Sequence, residues 1–310
     1  MPIIRINARG EQAHLHRGKR SVAEAIARHE DQGPVIVMIH GYKYRPGVLQ
    51  HCPHLHIMAL HPQDIPWRAP SWPRQLGFGT GHAGEGLAIA FGWDARGLPW
   101  AAQQRAVQAG RALAWVVAEV HRHTPGRPVH ILAHSMGIEL ALEALHHLPA
   151  GSVDRIVSMA GAGFLSRTRA ALQTPAGRTC EFFNVTSREN DMFDFLFERL
   201  VAPGERGDRA LGSGLDLPNV LNLQIDCDTT RTHLARLGTP IGEPDRRICH
   251  WSVYTRPGTL RFYNELMRQP DRLTLAALRR GLPETPARRW SRLVALPNVT
   301  LPLPAAQKAS

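Results

Sequence analysis

The sequence predicts an α/β fold with a mostly parallel central sheet and helices on both faces. Short, nearly continuous apolar runs recur along the chain, which is the pattern of strands buried on both faces. Segments with helical periodicity lie between these runs, and this alternation is typical of parallel strands joined by crossover helices. The chain has 310 residues, 43% of them hydrophobic, which is enough for one large core.

The predicted elements follow in chain order. The β-branched run "PVIVMIH" at 34–40 predicts the first core strand, and "GLAIAFGW" at 86–93 predicts the next. Pro99 opens a long helix that "TPG" ends at 124–126, because proline and glycine interrupt helices. Further strands are predicted at 129–134, 154–162, 180–187 and 219–225, and further helices at 138–148, 166–172 and 258–269.

A serine lies where the strand at 129–134 meets its following helix. In "AHSMG", small residues stand two positions before and two positions after Ser135, because larger side chains would clash in a sharp strand-to-helix turn. The pattern is a form of G-x-S-x-G with alanine first, and it exposes the serine oxygen near the N–H groups of the new helix. We therefore predict that Ser135 is a nucleophile. The alternative is a turn without chemistry.

From about residue 34 to about residue 268, the sequence resembles the α/β-hydrolase superfamily. The motifs that carry the resemblance are "VIVMIHGY", "IAFGWDARG", "VHILAHSMG" and "ICHWSVY", and the first two resemble a bacterial branch of serine-esterase-like hydrolases. The resemblance implies the α/β-hydrolase fold. It also implies that a serine, an acid and a histidine follow one another in that chain order.

This order selects the partners of the serine. His250 follows the last predicted strand and precedes a helix, so we predict that it is the base, whereas His233 lies in a helical context and is the weaker alternative. His134 is expected to pack rather than act as the base. We predict that Asp191, just beyond the strand at 180–187, is the acid, although it could also cap the next helix. The competing acids are Glu189, Asp194, Asp226 and Asp228, of which Asp226 is the main rival because it ends the last strand.

An oxyanion formed at Ser135 needs two N–H donors. We predict that Met136 N–H, directly after the nucleophile, is one of them. The loop "His40-Gly41-Tyr42" resembles the HG-x loop of the superfamily, which makes Tyr42 N–H the second donor, and Gly41 lets the backbone turn closely there.

Two insertions and a tail complete the predicted organisation, in which residues 1–281 form the hydrolase domain. The insertion 42–85 is expected to form a stiff aromatic flap over the site, or else a loop on the solvent side. The insertion 192–249 is a lid or a simple insertion, and 282–310 is a Pro-rich tail. The histidines of "HCPHLH" at 51–56 lack a carboxylate or second cysteine to complete a zinc site, so no metal is expected.

Composition narrows the function classes further. The net charge is +11, from 37 Lys and Arg against 26 Asp and Glu, but the arginines are scattered, so nucleic-acid binding is not expected. The four cysteines form no CxxC pair and are expected to be reduced. No run of 18 apolar residues predicts a membrane span, and no signal peptide is recognised, which favours a cytoplasmic protein. The oligomeric state is left open.

We therefore predict a serine hydrolase that cleaves a small-molecule carboxylic ester through an acyl-enzyme and needs no cofactor. Two alternatives stay open. The same residues would also serve acyl transfer, or cleavage of thioesters or amides. The fold would alternatively serve as a non-catalytic binding module with a basic surface.

Overall fold

A computed structural model describes residues 2–64 and 67–294, and one eight-stranded sheet forms its centre. The strands are β1 Ile3–Arg9, β2 Gln12–Leu15, β3 Val35–Ile39, β4 Leu87–Gly92, β5 Val129–His134, β6 Arg155–Met159, β7 Glu181–Thr186 and β8 Val220–Gln224. Their order across the sheet is β2-β1-β4-β3-β5-β6-β7-β8, and only the β1–β2 pair is antiparallel. The predicted fold class is confirmed.

Helices cover both faces of this sheet. Within the described residues they are α1 Val22–Ala27, α2 Trp72–Gln75, α3 Pro99–His123, α4 Ile138–Leu145, α5 Leu165–Leu172, α6 Pro175–Thr179, α7 Asp191–Leu200, α8 Asp228–Arg236, α9 Ser252–Thr255, α10 Thr259–Arg268, α11 Leu275–Arg279 and α12 Ser291–Val294. Successive side chains of β3 point to opposite faces. Val35 and Val37 join the core that contains α1, α3 and α4, whereas Ile36 and Met38 join the core that contains α2 and α10.

Several segments depart from the sequence-based expectations. The β1–β2 hairpin is not among the predicted strands, because its residues are mostly half-buried and form no long apolar run. Much of the segment 42–85 is core rather than flap, since Trp72 and Phe78 are fully buried. Of the Pro-rich tail, residues 295–310 lie outside the described residues.

The helix that supports the serine turn packs closely on α3. At Gly110, an added Cβ would lie 2.4 Å from the Cβ of Glu143 and 2.9 Å from the carbonyl oxygen of Leu140. This close approach holds α4, the helix that follows the strand-to-helix turn, against α3.

We expect Gly110→Ala to lower the free energy of unfolding by about 1–2 kcal/mol, because the steric cost exceeds the gain in helix propensity. Urea denaturation followed by circular dichroism measures this change. Gln108→Ala, on the exposed side of the same helix, is the matched control and should change stability by less than about 0.5 kcal/mol. Identical unfolding midpoints for the two variants would contradict the packing argument.

Candidate active site

Ser135 occupies a strained turn between β5 and α4. Its φ of 53° lies in the left-handed region, which residues other than glycine rarely adopt. Ser135 begins a single 3-10 turn that ends at Gly137, where an added Cβ would lie 2.6 Å from the carbonyl oxygen of His40. A side chain at position 137 would therefore clash with the backbone at the end of β3, and this explains the glycine there.

The loop after β3 approaches the serine from the other side. At Gly41, an added Cβ would lie 2.7 Å from the Cβ of Ser135. The buried His40 ring holds this loop, because its Nδ1 bonds the carbonyl of Gly41 at 2.9 Å and its Nε2 accepts the Trp93 N–H at 3.0 Å. Burial lowers the pKa of His40 to about 3, so the ring is neutral and supplies one donor and one acceptor.

The two expected oxyanion donors lie beside Ser135. Tyr42 follows Gly41, and its backbone N–H has no acceptor among the described residues. Met136 is the second residue of the 3-10 turn, where backbone N–H groups lack an acceptor within the helix. Both residues line the same cavity as Ser135.

His250 lies in the loop before α9 and lines this cavity together with Ser135. Its ring packs between two others, with ring centroids 4.7 Å from Phe193 and 4.6 Å from His134. The Nε2 of His134 also bonds the carbonyl of His250 at 3.2 Å, so His134 supports the position of His250. No hydrogen bond joins Ser135 to His250 among the described residues, and such bonds are often long without substrate.

An amide, not a carboxylate, contacts the His250 ring. The Oδ1 of Asn190 lies 2.6 Å from the Nδ1 of His250, and the Nδ2 of Asn190 donates to the Oδ1 of Asp194 at 2.9 Å. Because an amide oxygen only accepts, His250 must carry its proton on Nδ1 in this arrangement. The Nε2 of His250 is then left with a lone pair, as a general base requires.

The predicted acid, Asp191, does not contact His250. Its Oδ2 accepts the backbone N–H of Trp290 at 2.6 Å, so the carboxylate points toward the C-terminal segment. One residue advances a helix by about 100°, and at the first turn of α7 this rotation turns Asn190 rather than Asp191 toward the imidazole. In this structure Asn190, and not Asp191, is therefore the residue that contacts the His250 ring.

The competing residues are also engaged elsewhere. The Oδ2 of Asp226 pairs with Arg188 at 2.7 Å, and Glu189 forms a buried ion pair with Arg256. Asp228 is exposed at the start of α8. His233 bonds the carbonyl of Ala277 at 3.2 Å and does not line the cavity.

Burial shifts the titration of three groups at the site. It lowers the pKa of His250 well below its ordinary value of 6.5, and the neighbouring His134 adds to this effect. It lowers the pKa of His134 to about 4. Burial raises the pKa of Asp194 to about 8, against the opposing effect of Arg289. At neutral pH both imidazoles are therefore uncharged.

The cavity around Ser135 has a volume of about 440 Å³, within the range of small-molecule sites. One wall is a stripe of α7 formed by Phe193, Leu196, Phe197 and Leu200, at the spacing of one helix face. Lys43 and Trp251 lie on other parts of the wall. Polar side chains also line the rest of the wall: Ser135, His134 and His250, together with Asp194, Lys43, Tyr42 and Tyr44.

The histidine-rich segment serves the fold near this site. His54 bonds the side chain of Asn7 at 2.7 Å, and His56 bonds the Tyr44 hydroxyl at 2.6 Å. Within residues 2–64 and 67–294, no three His, Cys, Asp or Glu side chains are grouped as a metal site would require. No helix in that part of the chain combines the length and apolar composition needed to cross a bilayer.

Comparison with known proteins gives one family match. Residues 18–159 match a family described as "Alpha/beta hydrolase of unknown function". A Trichoderma reesei cutinase, solved in complex with a phosphonate inhibitor, is among the similar structures, with 14% identity and a TM-score of 0.26. The match covers 43% of this chain and 54% of the cutinase chain, and similarity this low gives no information about the reaction. No curated protein matches the chain.

Proposed function

The chain has the α/β-hydrolase fold, and on that premise we propose that it is a serine hydrolase that cleaves carboxylic esters through an acyl-enzyme. One observation carries the proposal. Ser135, held in a left-handed conformation, shares an apolar cavity with a histidine whose Nδ1 is bonded by an amide oxygen. Backbone strain of this kind persists where a side chain must be held for function.

In the proposed reaction, Ser135 Oγ attacks the ester carbonyl and its proton moves to Nε2 of His250. The backbone N–H groups of Tyr42 and Met136 stabilise the oxyanion. The C–O bond to the alcohol then breaks, and the alcohol leaves with the proton from His250. Water attacks the acyl-enzyme, gives its proton to His250, and releases the carboxylic acid while Ser135 regains its proton.

Asn190 is the orienting residue in this proposal, in place of Asp191. Its amide oxygen holds the Nδ1–H of His250, and Asp194 fixes the amide because it accepts the Nδ2–H. A neutral amide gives less electrostatic support to the imidazolium than a carboxylate does, but it fixes the same tautomer and orientation.

Labelling with a fluorophosphonate probe, followed by identification of the modified peptide, tests the proposal. We expect a single adduct on Ser135 and hydrolysis of p-nitrophenyl butyrate. If the matching thioester or amide is cleaved faster than the ester, the enzyme is a thioesterase or an amidase that uses the same residues. Absence of both labelling and hydrolysis would refute it.

The pH dependence of kcat/KM provides a separate prediction. His250 must be neutral to accept the serine proton, and its pKa is lowered by burial. Activity should therefore be retained as the pH falls through 6.5, the ordinary histidine pKa, and be lost only below it. A profile with p-nitrophenyl butyrate, checked by circular dichroism at each pH, measures this limb. An acid limb centred at or above 6.5 in the folded protein would contradict the prediction.

A further inference from the structure

Exposed apolar side chains line the Ser135 cavity or neighbour, in the sequence, a residue that lines it. Leu196, Leu200 and Trp251 line the cavity and are 42–46% exposed. Leu98 and Trp100 flank Pro99, which also lines the cavity, and are 56% and 47% exposed. We call these five side chains the apolar rim. They are half of the ten exposed large hydrophobic side chains in the described residues, and such clustering marks an interaction surface.

The rim is continuous with the wall of the cavity. On α7, Phe193 and Phe197 face inward, whereas Leu196 and Leu200, on the same stripe, reach the surface. A ligand could therefore pass from the rim to the serine along apolar side chains. This continuity fits a molecule with a long apolar chain and one polar ester group, because the α7 wall is apolar and Ser135 and His250 line the same cavity.

The positive charge of the chain favours binding of the apolar rim to an anionic surface. The net charge is +11, and Lys43 lines the cavity. Asp194, the acidic side chain of the cavity wall, is buried and accepts a hydrogen bond from Asn190, and its pKa of about 8 leaves it mostly uncharged at neutral pH. Trp and Leu side chains beside a cationic group such as Lys43 favour binding to the interface of an anionic bilayer.

We infer that the apolar rim docks on the surface of an anionic lipid bilayer and that the cavity takes the acyl chain of an ester drawn from it. The part of this inference that concerns the substrate rests on the proposed ester hydrolysis. The docking itself does not depend on the reaction.

Flotation with lipid vesicles tests the docking. The full-length Ser135→Ala protein should bind vesicles of phosphatidylglycerol and phosphatidylcholine more tightly than vesicles of phosphatidylcholine alone. Replacing Leu98 and Trp100 by serine in that protein should weaken binding about tenfold. Trp115→Ser is the matched control, since Trp115 is 42% exposed further along the same helix and should leave binding unchanged. Circular dichroism confirms that each variant is folded.

Activity assays test the substrate class. Wild type should hydrolyse p-nitrophenyl octanoate with a kcat/KM about tenfold above that for the acetate. The ratio of vesicle-borne to water-soluble ester hydrolysis should fall in the Leu98 and Trp100 double variant and stay unchanged in Trp115→Ser.

Three outcomes would overturn the inference. One is the absence of vesicle binding, and the second is equal binding to both vesicle types. The third is a rim-dependent dimer that excludes vesicles. If wild type cleaves the acetate without these lipid effects, the inference fails and the proposed function stands. If no ester is cleaved and no probe reacts, the proposed function fails, and flotation still reports on the rim.

Discussion

Ser135→Ala is expected to abolish fluorophosphonate labelling and to lower kcat/KM for p-nitrophenyl butyrate by about 10⁴-fold or more. The probe forms its covalent bond with an activated hydroxyl, and Ser135 is the serine that shares the cavity with His250. The remaining activity would come from the oxyanion donors and from substrate binding. Gel fluorescence and initial rates measure the two effects.

Ser158→Ala is the matched control. Ser158 is fully buried in β6, and its hydroxyl makes no hydrogen bond within the described residues, so its loss should leave the site intact. Both variants should have the circular dichroism spectrum of wild type. Labelling that persists in Ser135→Ala but disappears in Ser158→Ala would assign the nucleophile to a different serine.

Asn190→Ala is expected to lower kcat by about 10²–10⁴-fold with a smaller change in KM, because the His250 ring loses the group that fixes its tautomer. Asp191→Asn should stay within about threefold of wild type, since an amide oxygen still accepts the Trp290 N–H. Steady-state kinetics of the two variants separate these neighbouring residues.

A third substitution tests whether any hydrogen-bond acceptor at position 190, and not only an amide, orients the His250 ring. Asn190→Asp places a carboxylate where it can accept the Nδ1–H of His250, and it should recover part of the activity lost in Asn190→Ala. Recovery will be incomplete, because the new carboxylate lies beside Asp194. If Asp191→Asn is inactive and Asn190→Ala is active, the carboxylate of Asp191 orients the base after all.

The strands and the serine turn were predictable from local pattern. A buried parallel strand must be a continuous apolar run, so the order of the core strands follows directly from the sequence. The turn at Ser135 needs small residues at fixed positions, which a five-residue motif records. His250 follows from the order of these elements, because it lies beyond the last strand, in the loop before α9.

The residue that contacts the His250 ring was harder to predict, because its identity depends on the rotation of α7. Asn190 and Asp191 are neighbours in sequence and differ by about 100° around a helix. A weak signal was present, since Asn190 and Asp194 are four residues apart and therefore adjacent on one helix face. The superfamily pattern requires an acid after the serine, and it therefore does not indicate Asn190.

Contacts from a distant segment accompany that rotation. Arg289 pairs with Glu198 of α7 at 3.0 Å, and Trp290 N–H bonds the Asp191 carboxylate. These contacts join residues about a hundred positions apart in a Pro-rich region with no periodic pattern. No local feature of the sequence indicates them, which is why the sequence alone favoured Asp191.

The left-handed backbone at Ser135 also gives an evolutionary criterion. Glycine would adopt this conformation without the steric cost that serine carries, so selection for stability alone would replace the serine. A related chain that had abandoned catalysis and kept only the scaffold would be expected to drift to glycine at this position. Among relatives that share the turn, serine at this position would indicate an active hydrolase, and glycine would indicate an inactive one.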